Sequence, residues 1–127
     1  MKILVTGAAG YIGKQLVEYL YQQNKHEIVA CDIRDDNPFT HLPKVLYSKM
    51  DIRSEEVLTE MQKRQVDVVV HLASIVTPGK KSNREFEYSV DVLGTKNLLE
   101  ACVKTNVKRI IISSSGAAYG YHPENEK

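Results

Sequence analysis

A glycine-rich turn that directly follows a short apolar run constrains the fold of this chain most. Residues 3–5 read ILV and residues 6–13 read TGAAGYIG. Glycine tolerates tight turns and, because it has no Cβ, lets the backbone come close to a ligand. A helix starting in the turn would direct its unpaired N–H groups and the positive end of its dipole at an anion. The segment therefore predicts a strand, a phosphate-binding turn and a helix. The candidate contacts are Gly7, Gly10, Tyr11, Ile12 and Gly13.

The composition is that of one folded, soluble domain over residues 1–127, with 43% hydrophobic and 26% charged residues. The formal net charge is +1 and the basic residues are spread along the chain, so nothing favours nucleic-acid binding. No apolar run approaches the ~20 residues of a membrane span. Two cysteines, Cys31 and Cys102, without metal-ligand spacing, indicate neither a disulfide framework nor a metal site and favour a reducing cytoplasm.

Five apolar runs have the composition of β-strands, at residues 2–6, 27–32, 45–49, 67–72 and 109–113. Residues 69–70 and 110–112 are continuous β-branched runs, which are typical of strands buried on both faces of a parallel sheet. Helical patterns lie between most of these strands. Strands that alternate with helices predict right-handed crossovers and a doubly wound, Rossmann-like parallel α/β sheet with strand order 3-2-1-4-5.

Three helices are predicted. The first spans residues 11–23, with an apolar stripe at 12, 16, 17 and 20. The second follows Ser54, a candidate N-cap, and turns residues 57, 58 and 61 inward. The third spans residues 85–105, with Val90, Leu93, Asn97, Leu98, Ala101 and Cys102 on its inner side.

Ligands of such sheets bind beyond the carboxyl ends of the strands, and polar or glycine signals follow all five strands here. Asp32 ends the second strand, nineteen residues after Gly13. An acidic residue about 20 residues after a glycine turn typically binds the adenosine ribose of a dinucleotide. A carboxylate there repels a 2′-phosphate, which favours NAD over NADP. Arg34 keeps NADP open as an alternative, and a solvated carboxylate is the alternative without a ligand.

With these motifs the chain resembles the N-terminal part of the extended short-chain dehydrogenase/reductase family. Within that family it resembles the NAD-dependent epimerases and dehydratases that act on nucleotide sugars. The resemblance covers the whole chain and is specific for the family, but not for one substrate. The motifs are TGAAGYIG at 6–13, Asp32, DIR at 51–53, HLAS at 71–74, GTKNLLEA at 94–101, and a serine triplet at 113–115 followed by Tyr-Gly at 119–120.

The resemblance implies how most of these residues contact the cofactor. Asp51 accepts a hydrogen bond from the adenine amino group, with Ile52 against the ring; the alternative for Asp51 is a surface acid near a helix. The backbone of Leu72, Ala73 and Ser74 borders the ribose and nicotinamide, since small residues let the dinucleotide lie close.

The resemblance also assigns a catalytic residue. Ser115 aligns with the family's catalytic serine, whose hydroxyl orients the reacting sugar oxygen, and Ser114 is the alternative if the register differs by one. A capped strand end is the other interpretation of the serine triplet. His71 is expected to be a buried strand-end histidine rather than a base, and Asn97 is implied to tie its helix to the strand ends. Asp91 stands where relatives often have asparagine, so no role is carried over to it.

The family's proton-transfer pair, Tyr-xxx-Lys, lies on a later helix that this chain does not reach. The one match inside the chain, Tyr21 to Lys25, lies across the sheet from the reacting end and is interpreted as a coincidence. We therefore expect a piece of a longer enzyme, truncated after strand 5, that leaves this strand as an apolar edge and binds cofactor without turnover. A gene product that ends here is the alternative.

The predicted function is the NAD-binding portion of an epimerase or dehydratase that acts on a nucleotide sugar by transient hydride transfer. An NADP-dependent ketone reductase of the same superfamily and a non-enzymatic NAD-binding module are the alternatives. Lys80, Lys81 and Arg84 either meet a substrate diphosphate or form a solvated loop face. The third helix often forms the dimer interface in relatives, which implies a homodimer of the full-length protein.

Overall fold

Five strands form one parallel sheet in the order β3-β2-β1-β4-β5, as the sequence predicted. The strands are β1 (Lys2–Thr6), β2 (Glu27–Asp32), β3 (Val45–Lys49), β4 (Val68–His71) and β5 (Arg109–Ile112). The computed structural model describes residues 1–76, 83–120 and 122–124. The strand order reverses between β1 and β4, and in sheets of this kind a crevice for ligands opens at that point.

Helices connect the strands. They are α1 (Tyr11–Gln23), α2 (Glu56–Arg64), α3 (Arg84–Tyr88) and α4 (Thr95–Lys104). The stretch predicted as a single helix over residues 85–105 is continuous, but its middle turn, Ser89–Gly94, is π-helical and joins α3 to α4. A short 3₁₀ turn, Gly116–Tyr119, follows β5.

The sheet separates two apolar layers, and successive strand residues alternate between them. Leu4 and Val69 pack in the layer that contains α2 and α4. Val5 and Val70 pack on the other face, where Val17 of α1 is fully buried. Because both faces are covered, β1 and β4 are buried almost throughout, and for β4 the continuous run at residues 69–70 predicted this.

The apolar run of β5 is not buried in the same way. Ile111 is 51% exposed and Ile112 is 42% exposed. Within the described part of the chain β5 pairs only with β4 and is the outermost strand. The expectation of burial on both faces is therefore wrong for β5, whereas the expected apolar edge is present among these residues.

Three further local predictions are wrong. Ser54 is not the N-cap of α2, because it lies in a turn in which its N–H donates to Asp51; Glu55 occupies the cap position. Leu93 is 49% exposed, because the π-helical turn directs Gly94 at the core instead. Ile12 is 63% exposed and does not join the inner stripe of α1.

The described residues also bear on the membrane span and the cysteine chemistry that the composition addressed. None of the helices there is both long and apolar enough to cross a bilayer. Cys31 and Cys102 are buried free thiols. Burial raises the pKa of Cys31 to about 12, so this thiol stays protonated at neutral pH.

Candidate functional site

A pocket of about 960 Å³ opens at the carboxyl ends of the strands. Pockets for small molecules and cofactors commonly measure ~300–1,000 Å³. Every site residue singled out in the sequence lines this pocket, namely Gly7, Gly10, Tyr11, Ile12, Gly13, Asp32, Asp51, Ile52, Leu72, Ala73, Ser74 and Ser115. The fold thus brings all the candidates together at one place.

Two glycines of the turn are required by close packing. Gly7 has a φ of +66°, and a Cβ on it would lie 2.7 Å from the nitrogen of Ala73 and from the carbonyl carbon of Leu72. A Cβ on Gly13 would collide with the carbonyl oxygen of Gly7. At Gly10 a Cβ would meet only that oxygen, at 3.2 Å, which is a tight contact but not an overlap. Gly7 and Gly13 fix the turn, and Gly10 lines the pocket, where the missing Cβ lets a ligand approach the backbone.

The first turn of α1 faces the pocket without a side-chain cap. Gly10 is the N-cap residue, and the first turn contains no acidic residue. Tyr11, Ile12 and Gly13, whose N–H groups belong to this turn, line the pocket. An anionic ligand complements both these donors and the helix dipole, so the turn fits a phosphate group.

The carboxylate of Asp32 is held beside the turn. It accepts hydrogen bonds from the N–H of Ala9 at 2.9 Å and from the N–H of Arg34 at 3.2 Å. Arg34 in turn donates from Nη1 to the carbonyl oxygen of Ala9 at 3.2 Å, while Tyr47 donates its hydroxyl to the Arg34 carbonyl at 2.8 Å. The guanidinium thus braces the turn, and a carboxylate oxygen has two lone-pair directions, which leaves Asp32 able to accept from ribose hydroxyls.

Asp51, in the loop that follows β3, accepts several hydrogen bonds from Arg53, which the sequence did not predict. Arg53 donates from Nε to Oδ1 at 3.0 Å and from Nη2 to Oδ2 at 2.6 Å. The hydrogen bonds from Arg53 hold the pKa of Asp51 below its ordinary value. The same guanidinium donates to Oγ of Ser89 at 3.2 Å and stacks over Phe86, 5.1 Å from the ring centroid. Arg53 therefore connects the loop after β3 to the helix wall of the pocket.

Ile52 also connects the loop after β3 to the helix wall of the pocket, in this case by packing. Its side chain is largely buried, and a Cβ on Gly94 would lie 2.8 Å from it. Asn97 donates from Nδ2 to the carbonyl oxygens of Ile52 and Ser54, both at 2.8 Å. The resemblance implied that Asn97 ties its helix to the strand ends, and the structure shows this tie to the loop after β3.

Ser115 both caps a turn and lines the pocket. Its Oγ accepts a hydrogen bond from the N–H of Ala117 at 3.2 Å and so caps the 3₁₀ turn. A hydroxyl has one proton and two acceptor directions, so this bond leaves the proton for an oxygen atom in the pocket. Ser114 lines the pocket as well, so the choice between the two serines stays a prediction.

The helix wall adds pocket residues that the strand-end signals did not indicate. Phe86 and Val90, four residues apart, line the pocket from α3 and the π-helical segment. The apolar periodicity marked Val90 as inward-facing, but no signal marked Phe86. In the predicted basic cluster, Lys80 and Lys81 lie outside the described residues, and Arg84 is exposed at the start of α3.

Comparison with known proteins places this geometry in a family. Residues 3–127 match the model of the NAD dependent epimerase/dehydratase family. D-erythronate dehydrogenase of Haemophilus influenzae is 32% identical over 124 residues, which cover 94% of this chain and 39% of that protein. The chain spans about two-fifths of the length of this protein and of most other curated relatives of this kind.

Solved structures show the same likeness. UDP-glucose 4-epimerase of Thermus thermophilus, in complex with NAD, superimposes with a TM-score of 0.80 at 32% identity, covering 100% of this chain and 42% of that one. UDP-glucose 4-epimerase of Thermotoga maritima, with UDP-glucose, gives a TM-score of 0.82 at 30% identity, covering 100% and 41%. The family is NAD dependent, and its model spans nearly the whole chain. The chain therefore belongs to the NAD dependent epimerase/dehydratase family.

Proposed function

We propose that this chain is the NAD-binding portion of an epimerase or dehydratase that acts on a nucleotide sugar by transient hydride transfer. The supporting observation is the order of groups around the pocket. Because the sheet order is 3-2-1-4-5, the pocket edge presents Asp51, Asp32, the glycine turn, residues 72–74 and Ser115 in that sequence. This is the order in which an extended dinucleotide presents adenine, ribose, diphosphate and nicotinamide.

Each group along this edge has a partner in the proposed complex. The N–H groups of the glycine turn and of the first turn of α1 bind the diphosphate. Asp32 accepts from the two hydroxyls of the adenosine ribose. Asp51 accepts from the adenine amino group alongside the hydrogen bonds that both of its oxygens receive from Arg53. Residues 72–74 border the nicotinamide, which when bound exchanges a hydride with a sugar carbon.

Ser115 supplies the substrate contact in this proposal. Its Oγ accepts from the Ala117 N–H, which leaves its proton to donate to the reacting hydroxyl or keto oxygen of the sugar. A pre-oriented donor of this kind stabilises charge that develops on the oxygen during hydride transfer.

The nucleotide-sugar substrate is proposed on the likeness to two UDP-glucose 4-epimerase structures. A dehydrogenase that oxidises a sugar acid is a second candidate, since D-erythronate dehydrogenase is 32% identical to the chain. Two measurements on the whole protein separate these reactions. Conversion of UDP-glucose to another UDP-sugar without net reduction of NAD, followed by chromatography, supports the first, and net reduction of NAD by D-erythronate, followed through nicotinamide absorbance, supports the second.

A homodimer and a cytoplasmic location complete the proposal. Tyr88, Val92, Leu99 and Val103 are exposed apolar side chains on the helical stretch from α3 to α4, and we assign this face to a second copy of the full-length protein. Sedimentation equilibrium of that protein tests this, and a monomer at all concentrations contradicts it. Unpaired cysteines support a reducing compartment.

Fluorescence titration of the chain with NADH and with NADPH tests the central part of the proposal. We expect saturable binding of NADH and weaker binding of NADPH, because Asp32 repels a 2′-phosphate. Absence of NADH binding contradicts the proposed function, and a preference for NADPH contradicts the assignment of Asp32.

A further inference from the structure

A buried hydrogen-bond relay links the helix wall to the glycine turn, and of its members only Thr6 lines the pocket. His71, at the end of β4, is 3% exposed. Its Nδ1 lies 2.6 Å from Oγ1 of Thr6, its register partner on β1, and its Nε2 lies 2.9 Å from Oγ1 of Thr95. Thr95 donates its hydroxyl to the carbonyl oxygen of Asp91 at 2.7 Å. The relay thus runs from the π-helical segment through β4 to β1.

The relay admits one consistent arrangement of protons. Since the Thr95 hydroxyl donates to Asp91, its oxygen must accept from Nε2–H of His71. The ring is neutral, because burial lowers the pKa of His71, although the Asp91 carboxylate acts in the opposite direction. A neutral ring protonated at Nε2 has a bare Nδ1, so the Thr6 hydroxyl donates to it.

This arrangement determines what the oxygen of Thr6 can accept. With its proton on His71, Oγ1 of Thr6 accepts from the N–H of Leu72 at 3.3 Å and from the N–H of Ala73 at 3.4 Å. The peptide that carries the Ala73 N–H lies against Gly7, where a Cβ would come within 2.7 Å of it. The direction of one hydroxyl therefore fixes the peptide between Leu72 and Ala73 against the glycine turn.

We propose that His71 is a positioning residue of the pocket, which through Thr6 holds the peptide between Leu72 and Ala73 against Gly7 at the nicotinamide end. His71 does not line the pocket and touches no ligand in this arrangement. The nicotinamide assignment rests on the proposed function, whereas the positioning of the peptide does not.

Two substitutions test the two ring nitrogens of His71 separately. In His71→Asn the amide oxygen can replace Nδ1 and accept from Thr6, but nothing reaches Thr95. In His71→Gln the longer amide can replace Nε2 and donate to Thr95, but the acceptor for Thr6 is lost. Both variants remove the aromatic ring, so a role that is only structural affects them alike.

Hydrogen exchange of the Ala73 amide and NADH affinity are the two readouts. Ala73 is the sharper probe, because Leu72 also donates to the main-chain oxygen of Thr6. We expect H71N to keep slow exchange and an NADH affinity within about twofold of the parent chain. We expect H71Q to speed the exchange and weaken NADH binding roughly fivefold, the value of one hydrogen bond.

Thr95→Val tests the helix end of the relay, with Thr105→Val as its matched control. Thr105 makes the same bond to the carbonyl four residues earlier, donating to Ala101 at 2.8 Å, but at the other end of α4. In T95V the ring loses the acceptor for Nε2–H and can carry its proton on Nδ1 instead, where it donates to Thr6 and competes with the Ala73 N–H; the amide oxygen in H71N remains an acceptor. We therefore expect T95V to speed exchange of the Ala73 amide and T105V to leave it unchanged. Equal behaviour of these two variants overturns the relay.

The proposal is overturned if H71N and H71Q change the Ala73 exchange equally, or if ¹⁵N NMR finds the proton of the neutral ring on Nδ1. A chain that binds no NADH contradicts the proposed function alone. In that case the exchange rates still decide whether His71 positions the peptide.

Discussion

Gly13→Ala separates helix propensity from packing at the glycine turn. Gly13 is the third residue of α1, and alanine is preferred over glycine inside a helix by ~1 kcal/mol. Here the added Cβ would collide with the carbonyl oxygen of Gly7 and lie 2.7 Å from Cα and the carbonyl oxygen of Ala8. These are main-chain atoms, so no side-chain rotation relieves the overlap, and α1 must move away from β1.

The expected cost follows from these two opposing effects. Overpacking of a tight site costs ~1–3 kcal/mol, and contacts this short with the backbone place Gly13→Ala at the upper end. Subtracting the ~1 kcal/mol gained from propensity leaves a net loss of about 2 kcal/mol in the free energy of unfolding. For a domain of this size that corresponds to a melting temperature roughly 8 °C lower.

Thermal unfolding followed by circular dichroism measures this loss, and an NADH titration of the same variant measures its effect on the pocket. Gly116→Ala is the control, since a Cβ at Gly116 meets nothing within 4 Å. We expect the control to change stability by no more than ~0.5 kcal/mol. A Gly13→Ala chain that melts at or above the parent temperature refutes the packing argument.

Three further predictions concern ionisable side chains. Asp32→Ala should weaken NADH binding roughly tenfold, the value of a charged hydrogen bond, and bring the affinities for NADH and NADPH closer together. If fluorescence titrations show an unchanged ratio of these two affinities, the ribose assignment is contradicted. Arg53→Gln removes the donor that lowers the pKa of Asp51 from 3.8, so the variant should lack the stability that this carboxylate contributes above about pH 4 and should lose less stability than the parent on further acidification. Coincident acid-unfolding curves by circular dichroism contradict this. The pKa of His71 lies below its ordinary 6.5, so the unfolded chain takes up this proton first. The melting temperature should therefore fall between about pH 7 and pH 5, less steeply in H71N, and equal slopes contradict this.

The features predicted well from the sequence are those set by local patterns. The ends of β1, β2, β3 and α1 agree with the apolar runs and with the turn that separates β1 from α1. The strand order followed from the alternation of strands and helices, because the handedness of the crossovers leaves few topologies. The pocket residues followed in turn, since parallel strands bring their carboxyl ends to one edge.

The features predicted poorly depend on contacts between segments distant in the chain. Leu93 fits a regular helical stripe, but the helix is π-helical at this point, with Gly94 packed against Ile52 and Leu93 exposed. The burial of Ile111 requires a neighbour beyond β5, which the described residues do not include. Ser54 has the composition of an N-cap, but a turn that begins at Asp51 takes up its backbone.

The candidate site shows the same division. The residues at the strand ends could be identified one by one, because each type has its own chemistry. The bond from Arg53 to Asp51 and the stacking of Arg53 on Phe86 could not, since they depend on where α3 lies relative to the loop after β3. The relay through His71 was foreseen only as burial of the ring, because its partners come from β1 and α4.

Titration of the ¹⁵N-labelled chain with NADH, followed by amide chemical shifts, tests the central claim most directly, because it locates the cofactor and does not merely detect it. The account predicts shifts at the glycine turn, at the first turn of α1, at the end of β2 and at residues 72–74. It also predicts little change in the amide shifts of the C-terminal half of α4, which is far from the carboxyl ends of the strands. Saturating shifts that leave the glycine turn and Asp32 unaffected contradict it, as does a spectrum that NADH does not change.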